Sequence, residues 1–196
     1  MAQPQSRPRP PEELDELTLA RAQRGDAAAC RALVVRYQHV VFAVLSRMLG
    51  VRDPGRVEDL AQETFLKVFG ALAGFSPRGP AKLSTWILTI ATRRALDELR
   101  RPLSRTVPLG PQAADVPAPG RTDERATRRE LGEALAQGLA TLSPELRAVF
   151  VLRELHDLDY EEIATALAVD LGTVKSRLAR ARQAMREVLS AHREIG

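Results

Sequence analysis

YEEIATALAVDLGTVKSRLARARQAMRE, residues 160–187, decides the fold of this chain. Asp159 and Glu162 precede the apolar positions Ile163, Ala164 and Leu167 with the D-x-x-E spacing of a capping box, in which each side chain satisfies a backbone N–H of the other at a helix start. Ala168-Val169-Asp170 interrupts that helix, and Asp170 is placed to cap a second one. At about 100° per residue, Val174, Leu178, Ala181, Met185 and Val188 fall on one side of the second helix. Ser176, Ala179, Arg180 and Gln183 fall opposite. Lys175 borders that outward face, and Arg177 and Arg182 flank the apolar stripe. Two short helices around a tight turn, the second anchored on one side and cationic on the other, predict a helix-turn-helix whose second helix enters the DNA major groove. The turn of such motifs often takes a left-handed glycine; Ala168 stands there instead, at a cost of about 1 kcal/mol.

Outward from this motif the pattern stays helical. Ser143-Pro144-Glu145 supplies an N-cap, an N1 proline and an acidic first turn, and helical periodicity reaches back to about Asp123. Residues 102–122, PLSRTVPLGPQAADVPAPGRT, are rich in Pro, Ala and Gly without an apolar period, and predict a flexible linker. Residues 12–101 form a first domain. Its helices are expected at about 12–23, from Asp26 to a C-cap at Gly50, from about Val57 after an Asp53-Pro54-Gly55 turn to Ala71, and from the capping residue Ser84 to Arg101, where Pro102 forbids continuation. Residues 1–11 hold four prolines and two arginines and predict a disordered tail. No strand signal competes. The expected fold is all-α: two small helical domains joined by a flexible linker, the second (123–196) a helix-turn-helix.

Composition bounds the function. Lys and Arg total 29 against 25 Asp and Glu, so a polyanionic partner is admissible without being demanded. The single cysteine, Cys30, excludes a disulfide framework within the chain and suits a reducing cytoplasm. The start has no signal-like apolar core, and no window is expected to reach the roughly 18 apolar residues of a membrane span. The histidines 39, 156 and 192 are dispersed without ligand spacing, are expected at the surface or satisfied, and offer no catalytic or metal cluster. No cofactor is expected.

The 160–187 segment, with EIA, GTVKSR and RAR in that order, resembles the promoter-reading C-terminal domain of extracytoplasmic-function (ECF) sigma factors. EDLAQETFLKVF at 58–69 resembles the segment by which these factors grip the coiled coil of the polymerase beta-prime clamp. STWILTIATRRALDELRR at 84–101 resembles their strand-opening, minus-10 reading segment. The resemblance implies a non-enzymatic, cytoplasmic transcription initiation factor that binds core RNA polymerase and promoter DNA, has an anti-sigma partner in many cases, and inserts in no membrane. It implies polymerase contact by Asp59, Gln62, Glu63 and Phe65. For minus-10 DNA it implies Phe75, Ser76, Arg78, Lys82, Thr92, Arg93, Arg94, Arg100 and Arg101, with Trp86 and Ile90 buried; Arg93 stands where many family members carry Asn. For minus-35 bases it implies Lys175, Ser176, Ala179 and Arg180, with Thr173, Arg177 and Arg182 nearer the backbone. The two elements lie about 85 Å apart at 3.4 Å per pair. Subtracting two domain radii of about 11 Å leaves roughly 60 Å, which about 20 linker residues at 3.1 Å each just span. A stand-alone helix-turn-helix regulator remains a rival reading; it explains the second domain and leaves 58–69 and the basic fourth helix unused. A sigma-like chain retaining only polymerase binding is another.

Overall fold

A computed structural model describes residues 13–50, 54–101 and 122–195, with side chains outside the description at 54, 122–128 and 192–195. The expected tail, and the linker up to residue 121, lie outside the described residues. Among the described residues, eight α-helices follow in order: α1 (Glu16–Gln23), α2 (Ala27–Leu49), α3 (Pro54–Leu72), α4 (Leu83–Arg100), α5 (Thr122–Thr141), α6 (Pro144–Phe150), α7 (Tyr160–Leu167) and α8 (Leu171–Ile195), with α6 continuing into a π-helical turn, Val151–Leu155. Among the described residues there is no strand. The all-α expectation is correct.

Most helix ends follow local chemistry. Asp15 and Asp26 accept the backbone N–H of Thr18 and Ala29, capping α1 and α2, so α1 starts later than residue 12. Gly50 closes α2 with φ +70°, a value that favours glycine. Ser143 caps α6 ahead of Pro144. Arg101 is extended (ψ 134°), the conformation expected before a proline. Two starts differ from expectation. α3 begins at Pro54, whose missing N–H costs nothing in a first turn. α4 begins at Leu83, and its N-cap, Lys82, makes no side-chain bond. Ser84 lies inside the first turn, where its N–H and Oγ donate to the carboxylate of Glu13 at 3.3 and 2.5 Å. A carboxylate brought from 71 residues away thus does the capping, favoured by the positive end of the helix dipole. Glu13 also accepts from the buried Tyr37 hydroxyl, whose pKa burial pushes up to about 12.

α2 is the centre of the first domain. Leu33, Tyr37, Val41, Val44, Leu45 and Met48 have no solvent exposure, packed by α1, α3 and α4. By length and composition α2 is apolar enough to cross a bilayer, contrary to the expectation that no segment is. Its apolar stripe is occupied by the bundle core instead, which is why a central helix passes the same test.

The two halves are not held apart. One continuous core runs through both, α4 packing on α6 and α7, and α2 on α5, α6 and the π turn. Arg147 of α6 is buried; its guanidinium donates to Met48 O at the end of α2 and to Ala140 O and Leu142 O at the end of α5. His156 lies near Arg47 of α2; burial, reinforced by that charge, lowers its pKa to about 4, and its Nε2 has no hydrogen-bond partner. The expectation of a surface or satisfied histidine is therefore corrected for His156, whereas His39 is exposed.

Candidate nucleic-acid and polymerase interfaces

The helix-turn-helix forms as its sequence dictates. Glu162 N donates to Asp159 Oδ1 (2.7 Å) and Asp159 N to Glu162 Oε2 (2.9 Å), a complete capping box. Ala168 adopts φ +54°, ψ +49°, left-handed without glycine, and Val169 N–H returns to Ala164 O at 3.0 Å. Asp170 then accepts from Thr173 N (2.7 Å) and Thr173 Oγ1 (2.6 Å), and these bonds hold its carboxyl below the usual range.

On α8, Val174, Leu178, Ala181 and Met185 are buried, while Lys175, Ser176, Ala179, Arg180 and Gln183 are exposed. The four residues expected at the bases therefore share one open face, two short and two cationic, which suits close approach to base edges and phosphates. The flanking residues are more committed. Thr173 is half-buried and bonded to Asp170, Arg177 is half-buried, and Arg182 binds Glu154 of the π turn at 2.6 and 2.9 Å.

α4 behaves differently. Thr92 has no exposure and its Oγ1 no partner, so the expectation that it touches DNA is corrected: position 92 falls on the stripe with Leu88 and Ala95 that packs into the core. Arg94, 17% exposed, ion-pairs with Glu63 of α3. Arg93 reaches across to α7, Nε to Ala166 O (2.7 Å) and Nη2 to Thr165 O (3.1 Å). Arg100 and Arg101 are exposed and pair loosely with Glu145 and Glu98. Ahead of α4, Ser76, Arg78 and Lys82 are exposed and Phe75 is half-buried against Trp86, ring centroids 5.1 Å apart. Gln23 Nε2 fixes this loop by donating to Leu72 O and Phe75 O. Trp86 and Ile90 are half-buried rather than fully buried.

α3 buries Val57, Leu60, Ala61, Thr64, Phe65, Val68 and Leu72. Asp59 and Gln62 are exposed, whereas Glu63 is half-buried between Arg94 and Arg56. Arg56 also binds Glu98 of α4 at 2.6 and 2.8 Å, which lowers the Glu98 pKa and ties α3 to α4. Phe65 is only 7% exposed, but it lines a shallow groove between α2 and α3 with Phe69, Ala61, Gln62, Val34 and Gln38. Leu66 and Phe42 complete it, 71% and 37% exposed. Sequence reasoning missed these last two as interface residues. The available signal was Leu66 itself, a large apolar residue off the buried stripe of its helix. Exposed apolar surface of this kind marks a protein interface. Among the described residues no group of three or more His, Cys, Asp or Glu could hold a metal ion.

Residues 33–106 match the family model described as Sigma-70 region 2, and residues 132–185 the one described as Sigma-70, region 4. The RNA polymerase sigma-H factor of Pseudomonas aeruginosa is 35% identical over 190 residues, 91% of this chain and 95% of that protein. The ECF RNA polymerase sigma-E factor of Escherichia coli K12 is 36% identical over 181 residues, 87% and 92%. Among solved structures, CnrH in complex with the cytosolic domain of CnrY superposes with a TM-score of 0.63 at 27% identity, covering 90% of this chain and 97% of that one. The sigma factor RpoE of Bartonella quintana, solved with the anti-sigma factor NepR, shares the fold with a TM-score of 0.59 at 23% identity, covering 82% and 96%. These matches, which run across both halves of the chain, lead to one statement: this chain belongs to the sigma-70 family as an ECF sigma factor, acting in promoter-specific transcription initiation with RNA polymerase.

Proposed function

We propose that the chain divides its work among three surfaces and catalyses no reaction itself. The α2–α3 groove, with Asp59, Gln62, Phe65, Leu66 and Phe42, receives the coiled coil of the polymerase beta-prime clamp. The α8 face of Lys175, Ser176, Ala179 and Arg180 reads the minus-35 bases, with Arg180 the principal base contact. The loop before α4 (Phe75, Ser76, Arg78, Lys82), together with the outer arginines Arg93, Arg100 and Arg101, engages the minus-10 strand and aids its opening. Taking one base out of the stack costs a few kcal/mol, which aromatic stacking beside cationic groups offsets. Glu63 and Arg94 act as supports, each bound to the other. The protein works in the cytoplasm and is restrained there by an anti-sigma partner; the similarity to CnrH, solved with the cytosolic domain of CnrY, supports that part.

The observation that carries the reading is the α8 face, four expected base-reading residues exposed together while their helix is anchored by four buried ones. In-vitro transcription with purified core polymerase and genomic fragments tests it. Core-dependent initiation from a few promoters is expected, reduced about 10- to 100-fold by Arg180→Ala, the loss of a base contact of about 1–3 kcal/mol. Direct DNA binding with no core-dependent initiation would make the chain a stand-alone regulator instead.

A further inference from the structure

We propose that α1 is a strap across the strand-opening loop. Glu13 just ahead of α1 and Gln23 at its end hold the two ends of residues 73–82, and so set the geometry in which that loop captures a minus-10 base. The proposal rests on the minus-10 role given to the loop above, and makes Glu13 and Gln23 positioning residues for it.

The entry to the loop is held by Gln23. Its amide nitrogen donates to Leu72 O at 3.0 Å and to Phe75 O at 2.8 Å. Leu72 is the last residue of α3, where carbonyls lack intrahelical partners. One side chain, 49 and 52 residues away in sequence, therefore ends that helix and fixes the first turn beyond it. Phe75 is also the residue whose ring packs on Trp86, so the bond to its carbonyl orients the aromatic that the loop offers to a base.

The exit is held by Glu13. Its Oε1 accepts from Ser84 N and Oγ, and its Oε2 accepts from the Tyr37 hydroxyl at 3.4 Å. Tyr37 has no solvent exposure, so the carboxylate couples the start of α4 to the core side of α2. Between the two anchors the chain makes a tight turn, Gly79 N–H donating to Ser76 O at 3.0 Å, and leaves Ser76, Arg78 and Lys82 exposed. Among the described residues, no side chain but that of Gln23 hydrogen-bonds to residues 73–82. A loop already fixed at both ends has less freedom to lose when a base enters it. Neither Glu13 nor Gln23 lines the α2–α3 groove, so cutting the strap separates base capture from polymerase binding.

The test uses holoenzyme assembled from core polymerase and the full chain. Its probes are a single-stranded oligonucleotide carrying the minus-10 element of a promoter this protein transcribes, and the same strand with one minus-10 base at a time replaced by an abasic site. The readout is the ratio of the two affinities at the most sensitive position. A loss of folded protein lowers both affinities together and leaves the ratio unchanged, so the ratio separates positioning from stability. Gln23→Leu keeps the side chain's bulk and removes both donors. The ratio is expected to fall about fivefold, the lower end of what one stacked base contributes, with core binding unchanged. Gln23→Lys is expected to restore it, because an ammonium supplies donors for both carbonyls at a helix end whose dipole favours a cation. Its added charge acts on both strands alike and cancels in the ratio. An unchanged ratio in Gln23→Leu would overturn the strap. A ratio that stays low in Gln23→Lys would overturn it too, since the loss would then be one of shape rather than of the two donors. Should circular dichroism show Gln23→Leu melted, Glu13→Ala decides in the same way, with Glu13→Gln, which retains an acceptor for Ser84, as its rescue. A wild-type ratio of one would overturn the minus-10 reading itself, and the strap with it.

Discussion

α8 and α4 carry the two sets of residues expected at DNA, and they meet opposite fates. On α8 every residue expected at the bases is exposed. At α4 Thr92 is in the core, Arg94 pairs with α3 and Arg93, though exposed, caps α7, leaving Arg100 and Arg101 open at the helix end. Both helices are basic and amphipathic, so local pattern does not separate them. Their packing partners do. The buried side of α8 rests on α5, α6 and α7, all within the same half of the chain, whereas α4 is also covered by α6 and α7 from beyond the linker. A helix covered from one side shows its function in its periodicity; one covered from two sides does not.

The strongest way to break this contrast is at Arg147. Arg147→Ala leaves Met48 O, Ala140 O and Leu142 O without their guanidinium donor. Removing a buried charged hydrogen-bonding group of this kind costs about 3 kcal/mol, to be seen as a fall in denaturant midpoint. If the halves separate before either melts, Arg93 is released from α7, while Thr92 stays in the core and Arg94 stays paired with α3.

Acid tests the same seam more gently. The folded-state pKa of His156 lies near 4, below the ordinary value of 6.5. The unfolded chain therefore binds the extra proton first, so the stability contribution is complete above about pH 6.5 and is lost as pH falls toward 4. With allowance for partial solvent contact, about 2 kcal/mol should disappear over that window. His156→Gln should flatten the dependence in thermal melts at pH 7 and pH 4.5.

Thr92→Val sharpens the comparison by separating core from DNA surface. Its hydroxyl is buried without a partner, so a methyl of similar shape should stabilise the fold by about 1 kcal/mol and leave transcription unchanged. A selective loss of initiation would return position 92 to the DNA interface. The smallest effect is expected inside the helix-turn-helix, where Ala168→Gly relieves a left-handed backbone and should add about 0.5 kcal/mol in chemical denaturation.

Much of this was legible in the sequence because it is local. Asp26, Ser143, Asp159 and Asp170 cap helices through bonds spanning three residues, and the left-handed turn at Ala168 follows from the spacing of its neighbours; the Asp15 cap is equally local but was passed over in placing the first helix from residue 12. The period of α8 selected both its buried stripe and its open face. The helix start at Leu83 was not legible, because its acceptor is Glu13, 71 residues earlier. The fates of Arg93 and Arg94 were not legible either, since an exposed arginine and one paired across the fold have the same neighbours in sequence. Phe42 and Leu66 joined the candidate polymerase groove only once α2 and α3 lay side by side.

The sequence by itself determined the helices, most of their caps, the two sigma regions and the face that α8 presents, because hydrogen bonds over three or four residues and a 3.6-residue period need nothing from elsewhere in the chain. Tertiary structure alone decided which basic residues remain available to DNA and that the two halves share a core. Those outcomes depend on which distant carboxylates and helix-end carbonyls compete for each guanidinium, and only the packed fold brings the competitors together.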